Sequence, residues 1–147
     1  MDTPLNRARL LITTAWVGSL WTTGYLVAPT LFKTLPDTAL AGTVAGHLFQ
    51  VEAWFSVVCA MVLMGLARYQ GARIPKLIPG MLGCTVLGYF ALHPFMAHLR
   101  ELGLTDPDVK WQFGVLHGLS SGIYLMQSVL GAMLVLAGLS QAETSKK

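Results

Sequence analysis

Charge is scarce in this chain: only 12% of its 147 residues are Asp, Glu, Lys or Arg, while 54% are hydrophobic. That is about half the charged share of an average soluble domain, which excludes an ordinary water-soluble fold. Cysteine is scarce too. Two residues, Cys59 and Cys84, cannot staple a disulfide scaffold, and their expected role is small apolar packing, with Cu(I) ligation by Cys and nearby Met as the alternative. No low-complexity tract or internal repeat breaks the chain, and no clustered basic and aromatic surface points to nucleic acid. Metal-ligand spacings of the HxxH, ExxH or CxxC kind are missing as well.

What is present is apolar length. Residues 10–32, 44–67, 77–99 and 113–139 each reach the roughly 20 residues needed to cross a bilayer core. The first run is too long for a signal-peptide core and reads as a span. These four spans use nearly the whole chain, so the expected fold is a single all-α membrane domain over 1–147, a bundle of four transmembrane helices with short connections.

Basic residues orient the bundle. Seven of the ten lie at the N-terminus, the second connection and the tail (Arg7, Arg9, Arg68, Arg73, Lys76, Lys146, Lys147), whereas Lys33, Arg100 and Lys110 lie on the other side beside Asp37, Glu101, Asp106 and Asp108. Positive-inside bias therefore puts both termini in the cytoplasm, and the expected location is the bacterial cytoplasmic (inner) membrane.

The fourth span carries the most polar groups. His117, Ser120, Ser121, Tyr124 and Ser128 fall at i, i+3, i+4, i+7 and i+11, one continuous stripe that is expected to face protein. Gly114, Gly118 and Gly122 run beside it at i, i+4 and i+8, a flat helix-packing face on which a neighbour can approach closely. In the first span Ala15, Gly18, Ser19 and Thr22 form a second small-residue face, expected to pack on another span, and Pro29 is expected to kink or end that helix.

Glu52 stands apart as the carboxylate placed well inside a span. Such an acid is costly in lipid and is a functional candidate by default. His47 is five residues away, about 140° around the helix, so the two cannot share the centre of one narrow face. By depth, His47, His93 and His117 could still converge with Glu52 on an outward-facing polar pocket, a plausible shell for a transition metal or haem iron. His98 reads as a solvated interface residue. No nucleophile elbow is expected around Ser120 and Ser121, and no acid stands ready to orient His117, so serine-hydrolase chemistry is not expected.

Phe113 followed by His117-Gly118-Leu119-Ser120-Ser121, with Leu31-Phe32, Leu35-Pro36 and Leu48-Phe49 after the first span, resembles the transmembrane protein 205-like family. Some relatives have Asn where Tyr124 stands. The resemblance covers most of the chain and implies a small four-helix integral membrane protein; the family has no settled activity, and some members are associated with tolerance to metal-containing compounds.

Three functions are compatible with these features. A non-enzymatic accessory or assembly protein would use the glycine faces to meet a second copy or other membrane proteins in the bilayer. A small transporter or ion- or metal-handling protein would use Glu52 and the histidines. A metal- or haem-binding redox protein would use the histidines as ligands.

Overall fold

The computed structural model describes residues 4–144, with side chains described through Gly138. Four long helices account for nearly all of it: α1 (Pro4–Thr34), α2 (Thr38–Tyr69), α3 (Leu77–Leu102) and α4 (Pro107–Thr144). Each is long and apolar enough to cross a membrane, and no strand occurs among the described residues. This is a multi-pass, all-helical membrane protein. At 1.5 Å per residue even α3, the shortest at 26 residues, is about 39 Å long, beyond the roughly 30 Å of a hydrocarbon core.

All four helices run past the apolar stretches, and in three of them local caps, not hydropathy, set an end. The Asp37 side chain accepts from Ala39 N–H at 2.8 Å and starts α2 six residues before the apolar run. Asp106 does the same for Asp108 N–H at 2.9 Å, with Pro107 in the first turn of α4. Gly71 (φ 63°) and Gly103 (φ 93°) close α2 and α3 in backbone conformations that residues with a Cβ rarely adopt.

Neighbours in sequence are neighbours in space. α1 packs on α2 and α4, and α3 packs on α2 and α4, giving an up-down-up-down ring whose backbones approach closely only between neighbours among the described residues. Near the end that carries both termini the core is Trp16, Val17, Cys59, Ala60, Leu63, Ile78, Met81 and Leu134. There the Gln70 amide joins α1 to the α2–α3 connection: its Oε1 accepts from Arg9 at 3.0 Å and its Nε2 donates to Asn6 at 3.4 Å.

α1 and α3 share a break. Each widens into a π-helical segment, Thr22–Val27 and Val86–Leu92, and each segment ends two residues before a proline, Pro29 and Pro94. A proline ring collides with the carbonyl four residues back, here Tyr25 and Phe90, and both of these lie inside the widened turns. Pro29 therefore does not end its helix, which continues to Thr34. Each π segment also contains a glycine turned to α4: Gly24 meets the Tyr124 ring, and Gly88 lies 3.4 Å, measured from where a Cβ would sit, from Ile123. α4 is thus seated between the two broken helices at consecutive residues.

Candidate functional site

Trp16 points inward from α1 and is fully buried. A buried indole N–H needs an acceptor, and it donates to Ser56 Oγ at 2.8 Å. One turn before Ser56 on α2 stands Glu52, 6% exposed, whose Oε1 lies 3.5 Å from Ser56 Oγ and 3.2 Å from Ser19 Oγ of α1. Ser19 Oγ is in turn 2.9 Å from the main-chain carbonyl of Trp16. Four residues thus form one polar knot across the α1–α2 seam. Ser19 is the central residue of α1 and Glu52 lies near the middle of α2, so the knot sits at mid-span.

Two further polar ties cross the bundle at similar depth. Tyr124 OH donates to the carbonyl of Leu20, and its ring meets Tyr25 and Phe49 edge to face at 6.1 and 5.4 Å between centroids. Tyr25 OH donates to Ser128 Oγ at 2.9 Å, which donates to the Tyr124 carbonyl at 2.9 Å. On the α3 side, Gln127 Nε2 donates to Thr85 Oγ1 at 3.0 Å, and Thr85 donates to the Met81 carbonyl at 3.2 Å. Among the described residues no fully buried side-chain nitrogen or oxygen lacks a partner. Such satisfaction is what lets polar side chains sit in apolar surroundings.

The histidines do not join this layer. His47 is exposed and donates from Nδ1 to the Thr43 carbonyl of its own helix at 2.9 Å. His93 is half-buried, stacked on Tyr89 at 4.6 Å, with Nε2 lying 3.6 Å from where a Cβ on Gly46 would sit. His117 is exposed and lies parallel to Phe113 at 5.9 Å; His98 is exposed as well. The structure does not bring His47, His93, His117 and Glu52 together: among the described residues no group of three or more His, Cys, Asp or Glu is placed to hold a metal ion. The 140° between His47 and Glu52 decides it, because α2 turns Glu52 inward and so turns His47 out.

The stripe on α4 is likewise divided. Tyr124 and Ser128 face the bundle, Ser120 is half-buried, and His117 and Ser121 are exposed, Ser121 donating to the His117 carbonyl at 2.8 Å. Gly118-Leu119-Ser120-Ser121-Gly122 does have the G-x-S-x-G spacing that was not expected there, but all five residues lie in unbroken helix, so no strand-to-helix elbow is formed. Among the described residues nothing meets Gly114, Gly118 or Gly122: a Cβ on any of them would have no atom of these within 4 Å. The small-residue face of α1 is divided as well: Ser19 is half-buried against Glu52, whereas Ala15, Gly18 and Thr22 are exposed; Thr13, Trp16, Val17 and Leu20 are the buried set.

Sequence reasoning missed Trp16, Ser56, Tyr25, Thr85 and Gln127. A signal existed for two of them. A tryptophan in mid-span, away from the interfacial belt, must find an acceptor in protein, and a carboxamide at mid-span must do the same.

At the end opposite the termini, Arg100 reaches from α3 across to both neighbours. Its guanidinium lies 5.5 Å from the centre of the Phe113 ring and 3.8 Å from where a Cβ on Gly42 would sit.

A family model described as a domain of unknown function (DUF4149) matches residues 11–104. The chain belongs to that family. No curated protein and no solved structure matches it. The DUF4149 segment takes in α1 from Leu11, all of α2 and all of α3, so the Trp16–Ser19–Glu52–Ser56 knot lies wholly within it. α4 lies beyond it and supplies Tyr124, Gln127 and the bare glycines.

Proposed function

We propose that this DUF4149 protein is a non-enzymatic accessory or assembly protein that meets a second copy of itself, or another membrane protein, along the Gly114–Gly118–Gly122 face of α4. The observation that carries this reading is that the face is turned away from the bundle and that no atom of the described residues would lie within 4 Å of a Cβ on any of the three glycines. Small residues at four-residue spacing let a second helix backbone come close, and close approach is what drives helix association in lipid, where apolar contact alone gains little. Single-molecule counting in dilute bilayers, with affinity capture from native membrane, tests it. A Gly118→Leu variant should lose the associated fraction by at least tenfold while keeping its helicity. A wild-type protein that is monomeric and captures no partner would remove the proposal.

A second reading, a small proton- or ion-handling transporter, draws on Glu52, a carboxyl held at mid-span by hydroxyl groups. Flux of protons or cations into liposomes that disappears in Glu52→Gln would move it to first place. We also infer from the seven basic residues at the terminal end that both termini are cytoplasmic and that the membrane is the bacterial inner membrane; a reporter fused to the C-terminus reads the orientation directly. The likeness to the transmembrane protein 205-like family, carried by the His117–Ser121 run, fits an integral membrane protein of four helices and adds no reaction.

A further inference from the structure

Glu52 lies at mid-span without a cation. Among the described residues no lysine, arginine or histidine pairs with it, and its contacts are the hydroxyls of Ser19 and Ser56. An isolated carboxylate is strongly disfavoured in such surroundings, so the hydrogens around it deserve counting.

The donors available are few and their directions are constrained. Trp16 Nε1–H can only donate, and Ser56 Oγ at 2.8 Å takes it. The Ser56 hydrogen is then free to point at Glu52 Oε1, 3.5 Å away. On the other side, Ser19 has one hydrogen and two acceptors within reach, the Trp16 carbonyl at 2.9 Å and Glu52 Oε1 at 3.2 Å. If that hydrogen goes to the nearer carbonyl, the contact between Ser19 and Glu52 is a hydrogen bond only when Glu52 supplies the proton. With Glu52 as a neutral acid every donor is used once, in one direction: Trp16 N–H to Ser56, Ser56 to Glu52, Glu52 to Ser19, Ser19 to the Trp16 carbonyl. The circuit begins and ends on the same residue. Chains of hydrogen bonds running in one sense reinforce one another in a low-dielectric interior.

We propose that the Trp16–Ser19–Glu52–Ser56 circuit is a proton-binding site, holding one proton on the carboxyl of Glu52 between α1 and α2. Loss of that proton would reverse the Ser19 hydroxyl, turning its hydrogen from the Trp16 carbonyl to the carboxylate. The α1–α2 seam therefore has two hydrogen-bond arrangements that differ by one proton. Glu52 acts electrostatically on Tyr124 of α4 and on Cys59 of α2 itself, and α1 meets it through the hydroxyl of Ser19; Cys84, Tyr89 and His93 of α3 answer to other causes. This site stands independently of the glycine face and of whether the protein transports anything.

Infrared spectroscopy of the full chain in lipid tests it, because a protonated carboxyl has a C=O stretch well separated from that of a carboxylate. The other carboxyls of the sequence, Asp2, Asp37, Glu101, Asp106, Asp108 and Glu143, fall at the chain ends, in connections or at helix termini, away from mid-span. The wild-type spectrum near pH 7 should therefore show one protonated-acid band. That band should be lost in Glu52→Gln and should shift to higher frequency in Ser19→Ala, where the acid loses its acceptor. An absent acid band at pH 7 overturns the proposal. So does a band that survives Glu52→Gln, or one that Ser19→Ala leaves unmoved. Should Glu52→Gln fold poorly, the wild-type band and the Ser19→Ala shift decide the matter between them.

Discussion

Two sets of glycines in this bundle differ in what surrounds them. In the middle of the fold glycine is where another side chain sits: Tyr124 lies over Gly24, Ile123 against Gly88, and Val17 and Met81 crowd Gly131 at 3.0 and 3.3 Å from where a Cβ would be. Along the first half of α4, Gly114, Gly118 and Gly122 have open space around them. The first group is irregular in sequence and the second repeats every four residues. A regular repeat makes a straight groove, which suits a straight helix supplied from outside; irregular glycines suit the particular side chains of one fold.

The largest effect should come from filling the packed middle. A Cβ at Gly24 would collide with the Tyr124 ring, so Gly24→Ala must push that ring out. It would then strain or lose the bond from Tyr124 OH to the Leu20 carbonyl and the edge-to-face contacts with Tyr25 and Phe49. Overpacking a close-packed interior costs about 1–3 kcal/mol, and the lost tyrosine contacts put this site at the upper end. Reversible unfolding in mixed micelles measures it. Adding Tyr124→Ala should recover part of the loss, because the clash is with that ring; additive effects of the two substitutions would mean that Gly24 matters for another reason.

Next in size is Ser56→Ala, which removes volume and adds no clash. It leaves the Trp16 N–H, on a fully buried residue, without its acceptor, and an unsatisfied buried donor costs about 1–3 kcal/mol. In Trp16→Phe the donor is gone as well, so Ser56→Ala made in that background should cost clearly less than in wild type. Equal costs in the two backgrounds would show that the indole bond contributes nothing and that the packed middle is held by apolar contact alone.

Much of this architecture was readable in advance. Four apolar runs gave four helices, since length and hydropathy are properties of a segment by itself. Glu52 as the buried acid was readable for the same reason. The helix ends were less so, because hydropathy marks the part of a helix suited to lipid, whereas Asp37 and Asp106 set where α2 and α4 begin. Faces were hardest. The stripe His117–Ser128 is continuous on one helix, yet which part of it is covered depends on where α1 and α3 pass, and they meet α4 at Ile123 and Tyr124 through their own widened turns. His47 could have been placed correctly: once Glu52 is taken to face inward, the angle between them already turns the imidazole out.

The smallest effect belongs to the bare face. Gly118→Ala places a methyl group where nothing lies within 4 Å, and in the middle of a helix Ala is favoured over Gly by up to about 1 kcal/mol. Stability of the isolated chain should stay level or rise slightly in the same micelle assay. Ser121→Ala should be equally mild, since its hydroxyl donates only to the His117 carbonyl of its own helix. A drop above about 1 kcal/mol in Gly118→Ala, in dilute micelles, would mean that this face is covered within the single chain after all. Then the contrast between the two groups of glycines would collapse, and with it the reason to seek a partner there. A neutral result in micelles with weakened association in bilayers is the outcome the contrast requires, because only a surface used between chains separates those two readouts.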